Sequence, residues 1–207
     1  MRKKVALLLV LISLIATCIV TVQPASALEN SWVPRPPMLQ PTAGAVTVDG
    51  KIYAIGAHGI NQEYDPSALT WTKKTSMPNP TGGGIAVYQN KIYVIGESYN
   101  EVYDVDTDSW ASKIAMPTWR IGIQANVVNG KIYLIGGMSD TESGTISDVN
   151  EAYDIATDTW TTKEPIPTSV YIYASAVVDN KIYIIGGSSE PPNAVLDLVQ
   201  IYDPRKR

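Results

Sequence analysis

The sequence has one cysteine, one histidine and no stretch of basic residues long enough to bind a polyanion, and each scarcity excludes a class of function. Cys18 lies in an N-terminal apolar run, so the rest of the chain has no disulfide and must be stabilised by packing. With His58 as the sole histidine, we expect no histidine-dependent zinc site and no Ser/His/Asp or Cys/His triad. The net charge is −4, and after the first four residues the only cationic cluster is Arg205-Lys206-Arg207, so nucleic acid is not an expected partner.

The first residues are typical of a targeting segment. Met1 to Lys4 is basic, Val5 to Val22 is almost wholly apolar, and Ala25-Ser26-Ala27 has the small residues of a cleavage site. We therefore predict a signal peptide at residues 1–27, a single domain at 28–207, and a secreted or cell-surface protein. An uncleaved membrane anchor is the alternative, because the apolar run has the lower length limit for a bilayer span. A membrane is an expected partner only in that case.

One short pattern occurs four times in the chain. It consists of an apolar segment, a two-residue turn and a strand beginning Lys-Ile-Tyr, with the lysines at 51, 91, 131 and 181. The turns are Asp-Gly, Gln-Asn, Asn-Gly and Asp-Asn, which supply the positive φ angles of a two-residue hairpin. The Lys-Ile-Tyr strands are apolar without alternation, which indicates burial on both faces.

Each hairpin is followed by a Tyr-Asp pair and, in three units, by a tryptophan seven residues after the tyrosine. These residues predict a third and a fourth strand, and the tyrosines and tryptophans are expected to pack between units. Four antiparallel strands in about 40 residues is the size of a β-propeller blade. The tryptophans are Trp71, Trp110 and Trp160.

The third unit carries the fullest set of motif residues, with Gly136-Gly137, Tyr153-Asp154, Trp160 and Arg120 before its first strand. In this order the unit resembles the kelch repeat, and the resemblance covers Trp32 to Asp203. It implies an all-β, kelch-type β-propeller of four four-stranded antiparallel blades. The repeats are expected at about 39–77, 78–116, 117–166 and 167–207.

The fourth unit ends before its expected tryptophan, whereas Trp32 has outer-strand spacing and no strands before it. We predict that residues 31–38 supply the outer strand of the last blade and close the propeller. The alternative is an incomplete ring of a larger propeller, which would self-associate through its unfinished blades.

In such a blade, with strands a to d from the axis outward, the b–c and d–a connections emerge on one face. Exposed aromatic residues with an arginine on rigidly held loops suit sugars or protein side chains. The predicted ligand-binding residues on this face are His58, Tyr99, Trp119, Arg120 and Tyr171.

The kelch resemblance admits several functions. A copper oxidase such as galactose oxidase is excluded, because it needs a cysteine-modified tyrosine and paired histidines. The alternating aspartates 104, 106 and 108 are interpreted as a turn rather than a calcium loop, so we expect no metal, no cofactor and no catalytic residue.

The first hypothesis is a secreted, non-catalytic module that binds a protein or glycan. The alternatives are a structural cell-surface component and a carbohydrate-acting enzyme resembling kelch sialic-acid epimerases, which would use Arg120 and a loop carboxylate (Asp140, Glu142, Asp148 or Glu190).

Overall fold

The structure, a computed structural model, describes residues 31–42, 44–79, 82–189 and 194–206. The predicted signal peptide at 1–27 and the carboxylate of Glu190 lie outside these ranges. Within them, no helix has the length and apolar character needed to span a bilayer.

The described chain from Arg35 onward folds into four antiparallel sheets, one for each sequence repeat. The first blade contains β1 (Gly44–Val48), β2 (Lys51–Gly56), β3 (Ile60–Asp65) and β4 (Thr70–Lys73). The second contains β5 (Gly84–Tyr88), β6 (Lys91–Gly96), β7 (Tyr99–Asp104) and β8 (Ser109–Ser112). In both sheets the strands pair in chain order, with a short 3-10 turn, Ala57–Gly59, between β2 and β3.

The third and fourth blades have longer connections between their second and third strands. The third blade contains β9 (Ala125–Val128), β10 (Lys131–Ile135), β13 (Asn150–Asp154) and β14 (Thr159–Lys163), and its long connection forms a small hairpin of β11 (Met138–Asp140) and β12 (Thr145–Ile146). The fourth blade contains three strands in the described residues: β15 (Ala174–Val178), β16 (Lys181–Ile185) and β17 (Val199–Tyr202).

The first strands of the blades lie side by side, β1 next to β5, β5 next to β9, and β9 next to β15. This arrangement of four sheets around inner strands is a four-bladed β-propeller, as the sequence predicted. The hairpin prediction is also confirmed, because Asn129 and Gly130 have φ angles of 49° and 72°, and the other three turns are alike.

Each pair of neighbouring blades encloses one hydrophobic cluster. We call the face of a blade that meets the next blade its trailing face, and the opposite one its leading face. Between the first two blades, Tyr53 and Ile55 of the trailing face pack with Ile92, Val94 and Tyr103 of the leading face. The same positions build the clusters between the second and third blades and between the third and fourth. Across the three junctions the facing tyrosine rings are 6.1, 6.3 and 5.7 Å apart, so these tyrosines do pack between blades.

The outer tryptophans tie each blade to the segment that enters it. Trp110 Nε1 donates to Thr75 O at 2.8 Å, and Trp160 Nε1 donates to Ile114 O at 2.8 Å. In the same way Trp71 Nε1 donates to Pro36 O at 3.0 Å. Residues 36–40 therefore occupy the same position before the first blade as the linkers, the segments that enter the second and third blades, occupy before theirs.

The predicted closing strand is not formed in the structure. Residues 31–38 have no strand pairing, and Trp32 is fully exposed. Completion of the last blade by this segment of the same chain stays a prediction.

The first blade differs from the second and third in the turn between its third and fourth strands. Asp108 and Asp158 adopt positive φ angles there, and each carboxylate accepts hydrogen bonds from a tyrosine hydroxyl and from the N–H of a linker residue. They are turn residues, and Asp104 caps the same turn through the N–H groups of residues 106 and 107. In the first blade the equivalent residue is Leu69, at φ 57°, and the buried hydroxyl of Tyr64 has no hydrogen-bond partner among the residues that the structure describes.

Replacing Leu69 with aspartate is expected to stabilise the protein by about 1 to 2 kcal/mol. Aspartate tolerates the left-handed backbone better than leucine, and its carboxylate would accept a hydrogen bond from Tyr64, as Asp108 does from Tyr103. Urea denaturation of the variant should show a higher midpoint. Ala68→Asp, in the same turn, is the control and should leave the midpoint unchanged. An unchanged midpoint for Leu69→Asp would contradict the prediction.

Candidate binding face

The b–c and d–a connections meet on one face of the propeller, which confirms the predicted arrangement. Their backbones are joined by hydrogen bonds from Glu97 N to Arg120 O at 2.9 Å and from Gly137 N to Val170 O at 2.8 Å. Further along this face Ile172 N donates to Gly122 O at 2.9 Å and Tyr171 pairs with Ser188. We call this side of the molecule the upper face. Its loops are held by the backbone network and form a rigid rim.

A cleft of about 490 Å³ opens among the inner strands and the d–a segments on this side. Glycines and aliphatic residues contribute most of its lining, including Gly82, Gly83 and Gly122. Thr42 and Gln124 are its uncharged polar residues, and Arg120 is its one charged residue. A Cβ at Gly83 would lie 2.4 Å from Ile95 O, so glycine is required there for the backbones to approach. The cleft suits a ligand that is bound through uncharged contacts.

Arg120 requires a correction to the sequence prediction. Its side chain is 0% exposed, and Nη1 donates to Gly136 O at 2.8 Å and to Val149 O at 2.7 Å. Nη2 donates to Glu151 Oε2 at 2.6 Å. Burial lowers the pKa of Arg120 and the Glu151 carboxylate opposes this shift. The guanidinium therefore holds the third blade together and does not reach a ligand in the cleft.

This geometry bears on the enzyme alternative, which needs Arg120 to point into the funnel beside a loop carboxylate. The carboxylate that Arg120 contacts is on strand β13, at a position buried from solvent. Asp140 caps its own hairpin turn, and hydrogen bonds from Ser143 and from the N–H of Glu142 lower its pKa. In the described residues no group of three His, Cys, Asp or Glu side chains is placed to hold a metal ion.

The other predicted ligand-binding residues do not come together in one site. His58 is exposed and lines a separate notch beside Leu39 and Gln62 on the first blade. Tyr99 is buried in the cluster between the first two blades, so it does not offer a ring to a ligand. Trp119 and Tyr171 are partly exposed and belong to the two d–a segments that enter the third and fourth blades.

Ile172 is the residue of this face that sequence reasoning missed. It has a positive φ angle of 50° and is 68% exposed, an unusual combination for a β-branched residue. The equivalent positions are Thr42, Gly82 and Gly122 before the first, second and third blades, and Gly122 has a positive φ angle of 66° as well. A Cβ at Gly122 would lie 3.2 Å from Ile172 Cγ1 and 3.3 Å from Tyr171 Cδ2, so these side chains border the cleft. Alignment of the linkers on their glycines would have revealed Ile172.

The d–a segment beneath Ile172 is firmly anchored. The Tyr173 hydroxyl donates to Ile135 O and accepts from Gln124 N at 3.3 Å. Burial raises the pKa of Tyr173 to about 12. The strained residue therefore sits on a fixed support.

Comparison with known proteins now gives the family. The Kelch motif matches residues 120–165 and 173–207, which are the third and fourth blades with their entering segments. These two blades are kelch repeats. A solved structure titled "Structure of YjhT" is 18% identical, with a TM-score of 0.72 over 82% of this chain and 65% of that chain. At this identity the likeness concerns the fold, and the kelch chain described here spans 65% of that longer chain. No curated protein matches the sequence.

Proposed function

We propose that this kelch propeller is a secreted, non-catalytic binding module whose upper face holds a protein or glycan ligand. The observation that carries the proposal is Ile172, an exposed side chain on a strained backbone beside Tyr171 at the edge of the cleft. Backbone strain is retained where the surroundings enforce it, and it clusters at ligand sites. Glycine, as at the equivalent Gly122 with its φ angle of 66°, would avoid the strain, so we infer that the isoleucine side chain contributes to binding.

The surroundings of Ile172 suit recognition through apolar and aromatic contacts. Tyr171 beside Ile172, and Trp119 in the segment that enters the third blade, provide amphipathic rings, and the cleft lining offers backbone groups and uncharged polar side chains. Because the hydrogen-bonded rim is already rigid, little conformational entropy is lost when a ligand binds. A neutral glycan or an uncharged protein segment fits this environment.

The proposal is tested by screening the purified protein against glycan and protein arrays. A ligand should be retained, and Tyr171→Ala or Trp119→Ala should weaken its binding by roughly tenfold or more, as for aromatic hot spots. Tyr88→Ala, at the opposite end of an inner strand, is the matched control and should bind normally. Turnover of a sugar panel at enzyme-like rates would overturn the non-catalytic assignment.

Ile172→Gly separates function from folding. Glycine fits the positive φ angle, so the free energy of unfolding should not fall below that of the parent. The affinity for the arrayed ligand should nevertheless fall by roughly tenfold, since an apolar contact is lost. Denaturation and binding titrations on the same preparation measure both quantities. A variant that binds like the parent would show that Ile172 is not part of the site.

A further inference from the structure

Glu97 lies at the rim of the upper-face cleft. Its N–H donates to Arg120 O at 2.9 Å, and the residue before it, Gly96, lines the cleft together with Arg120 and Ile121. Glu97 itself is partly exposed. At physiological salt a charge acts over about 8 to 10 Å. A ligand in the cleft is therefore within range of the Glu97 carboxylate.

Glutamate is an unusual residue at this position. Glu97 has a φ angle of 48°, a left-handed backbone that residues other than glycine rarely adopt. The equivalent residues of the third and fourth blades are Gly137 and Gly187, both at φ 97°, and the first blade has Ala57 in its 3-10 turn. Glycine would relieve the strain at residue 97. The side chain is therefore the part of Glu97 with a candidate role.

The Glu97 carboxylate also differs from the charges around it in having no counter-charge. Among the described residues it makes no ion pair and accepts no side-chain hydrogen bond. The connections of the upper face, within and between the four blades, carry three described lysines or arginines. Each of them lies within 4.0 Å of a carboxylate: Lys74 beside Glu63 and Asp108, Lys113 beside Asp158, and Arg120 beside Glu151. The rim therefore presents a negative charge that these cations do not neutralise.

The dimensions of the cleft favour a glycan over a folded protein as its ligand. Its volume of about 490 Å³ falls in the range of small-molecule sites, about 300 to 1,000 Å³. A folded protein partner typically covers about 800 Å² on each side, which requires a broader surface. Thr42 and Gln124 can hydrogen-bond to sugar hydroxyls, and Tyr171 borders the cleft with an aromatic ring.

We propose that Glu97 sets the charge selectivity of this cleft, so that it excludes acidic glycans and favours those that carry a free amino group. The inference rests on the binding function proposed above and narrows its ligand class. An acidic sugar brought to the rim is repelled by Glu97 and meets no unpaired lysine or arginine on the described connections. A protonated amine is attracted to the same carboxylate, whereas a neutral sugar is bound by the uncharged lining alone.

A glycan array with matched charges tests the proposal. For each linkage, the neutral oligosaccharide is printed beside its 2-amino and 6-carboxylate derivatives. The parent protein should bind the amino form about fivefold more tightly than the neutral form and the carboxylate form about fivefold more weakly, as for partly exposed charge pairs. Both differences should shrink as salt is added, because salt screens charge and leaves shape complementarity unchanged.

Three variants assign the selectivity to Glu97. Glu97→Gln should bring the three affinities together and leave the affinity for the neutral form unchanged. Glu97→Gly should lose the selectivity as well, without a fall in the free energy of unfolding, because glycine fits the backbone. Asp106→Asn, which removes a charge from the opposite face of the same blade, is the matched control and should keep the selectivity of the parent.

The outcomes separate this proposal from the binding function on which it rests. If the parent retains neutral and carboxylate forms equally, or if Glu97→Gln keeps the selectivity of the parent, the role of Glu97 is overturned and glycan binding stands. If the parent retains no glycan of any charge, the glycan ligand itself is contradicted and the selectivity falls with it.

Discussion

Glu151→Ala is expected to lower the free energy of unfolding by roughly 3 to 5 kcal/mol, because the variant leaves the Arg120 guanidinium buried without its counter-charge. Arg120 has no access to solvent, and its remaining partners are backbone carbonyls and the Met116 sulfur. The carboxylate also accepts from Thr118 Oγ1 at 2.8 Å, so the entering linker loses a contact as well. Urea denaturation followed by tryptophan fluorescence measures the loss.

The preceding blade offers the matched control. Glu101 is the equivalent of Glu151 and is also buried, but it accepts from the neutral donors Asn79 and Ser112. Glu101→Ala should therefore cost less, about 1 to 3 kcal/mol, since no buried cation is left unpaired. A double variant, Arg120→Met with Glu151→Leu, should recover most of the stability lost in Glu151→Ala. Equal losses for Glu101→Ala and Glu151→Ala would show that the ion pair is not the cause.

The repeated elements of the fold were predictable because each has a local cause. The Asn129-Gly130 turn requires positive φ angles, and the uninterrupted apolar strand after it requires cover on both faces. These requirements recur in four units, so the blades and their order follow from the spacing alone. The positions of the buried tyrosines and of the partly exposed tryptophans follow from the same register.

The site was harder to predict because its composition depends on which side chains point toward solvent and which point into the protein. Arg120 precedes a strand on the ligand-bearing face, yet its side chain turns inward to reach Glu151, which lies 31 residues later in the chain. Tyr99 likewise begins a strand near the rim but packs inward. Neither direction is encoded by the local pattern. Ile172, in contrast, is visible in the sequence at a linker position where the second and third units have Gly82 and Gly122 and the first has Thr42.

The end of the propeller shows a second kind of limit. Tryptophan spacing predicts outer-strand register for Trp32, but register does not specify which sheet accepts the strand. That choice depends on whether the first and fourth blades meet, which depends on the angle between blades rather than on any single residue. The exposed Ile185 and the unpaired edge of β17 supply this information only once the sheets are built.

Gly137→Ala is expected to destabilise the protein by roughly 3 to 5 kcal/mol, combining left-handed strain with overpacking. Gly137 has a φ angle of 97°, and an added Cβ would lie 2.3 Å from Ile123 Cγ2 and 2.9 Å from Ile121 O. Both neighbours belong to the segment that enters the third blade, and Gly137 N also donates to Val170 O of the next linker. The substitution should therefore loosen two linkers of the upper face at once, which hydrogen exchange at the Val170 to Tyr173 amides would report.

The control for Gly137→Ala is Gly50→Ala in the first hairpin turn. Gly50 has a similar positive φ angle of 74°, but a Cβ there meets no atom within 4 Å. Its replacement should cost about 1 to 2 kcal/mol, the strain alone. If the two variants lose the same stability, close packing beneath the upper face does not contribute, and the rigidity assigned to the ligand-binding rim loses its main physical cause.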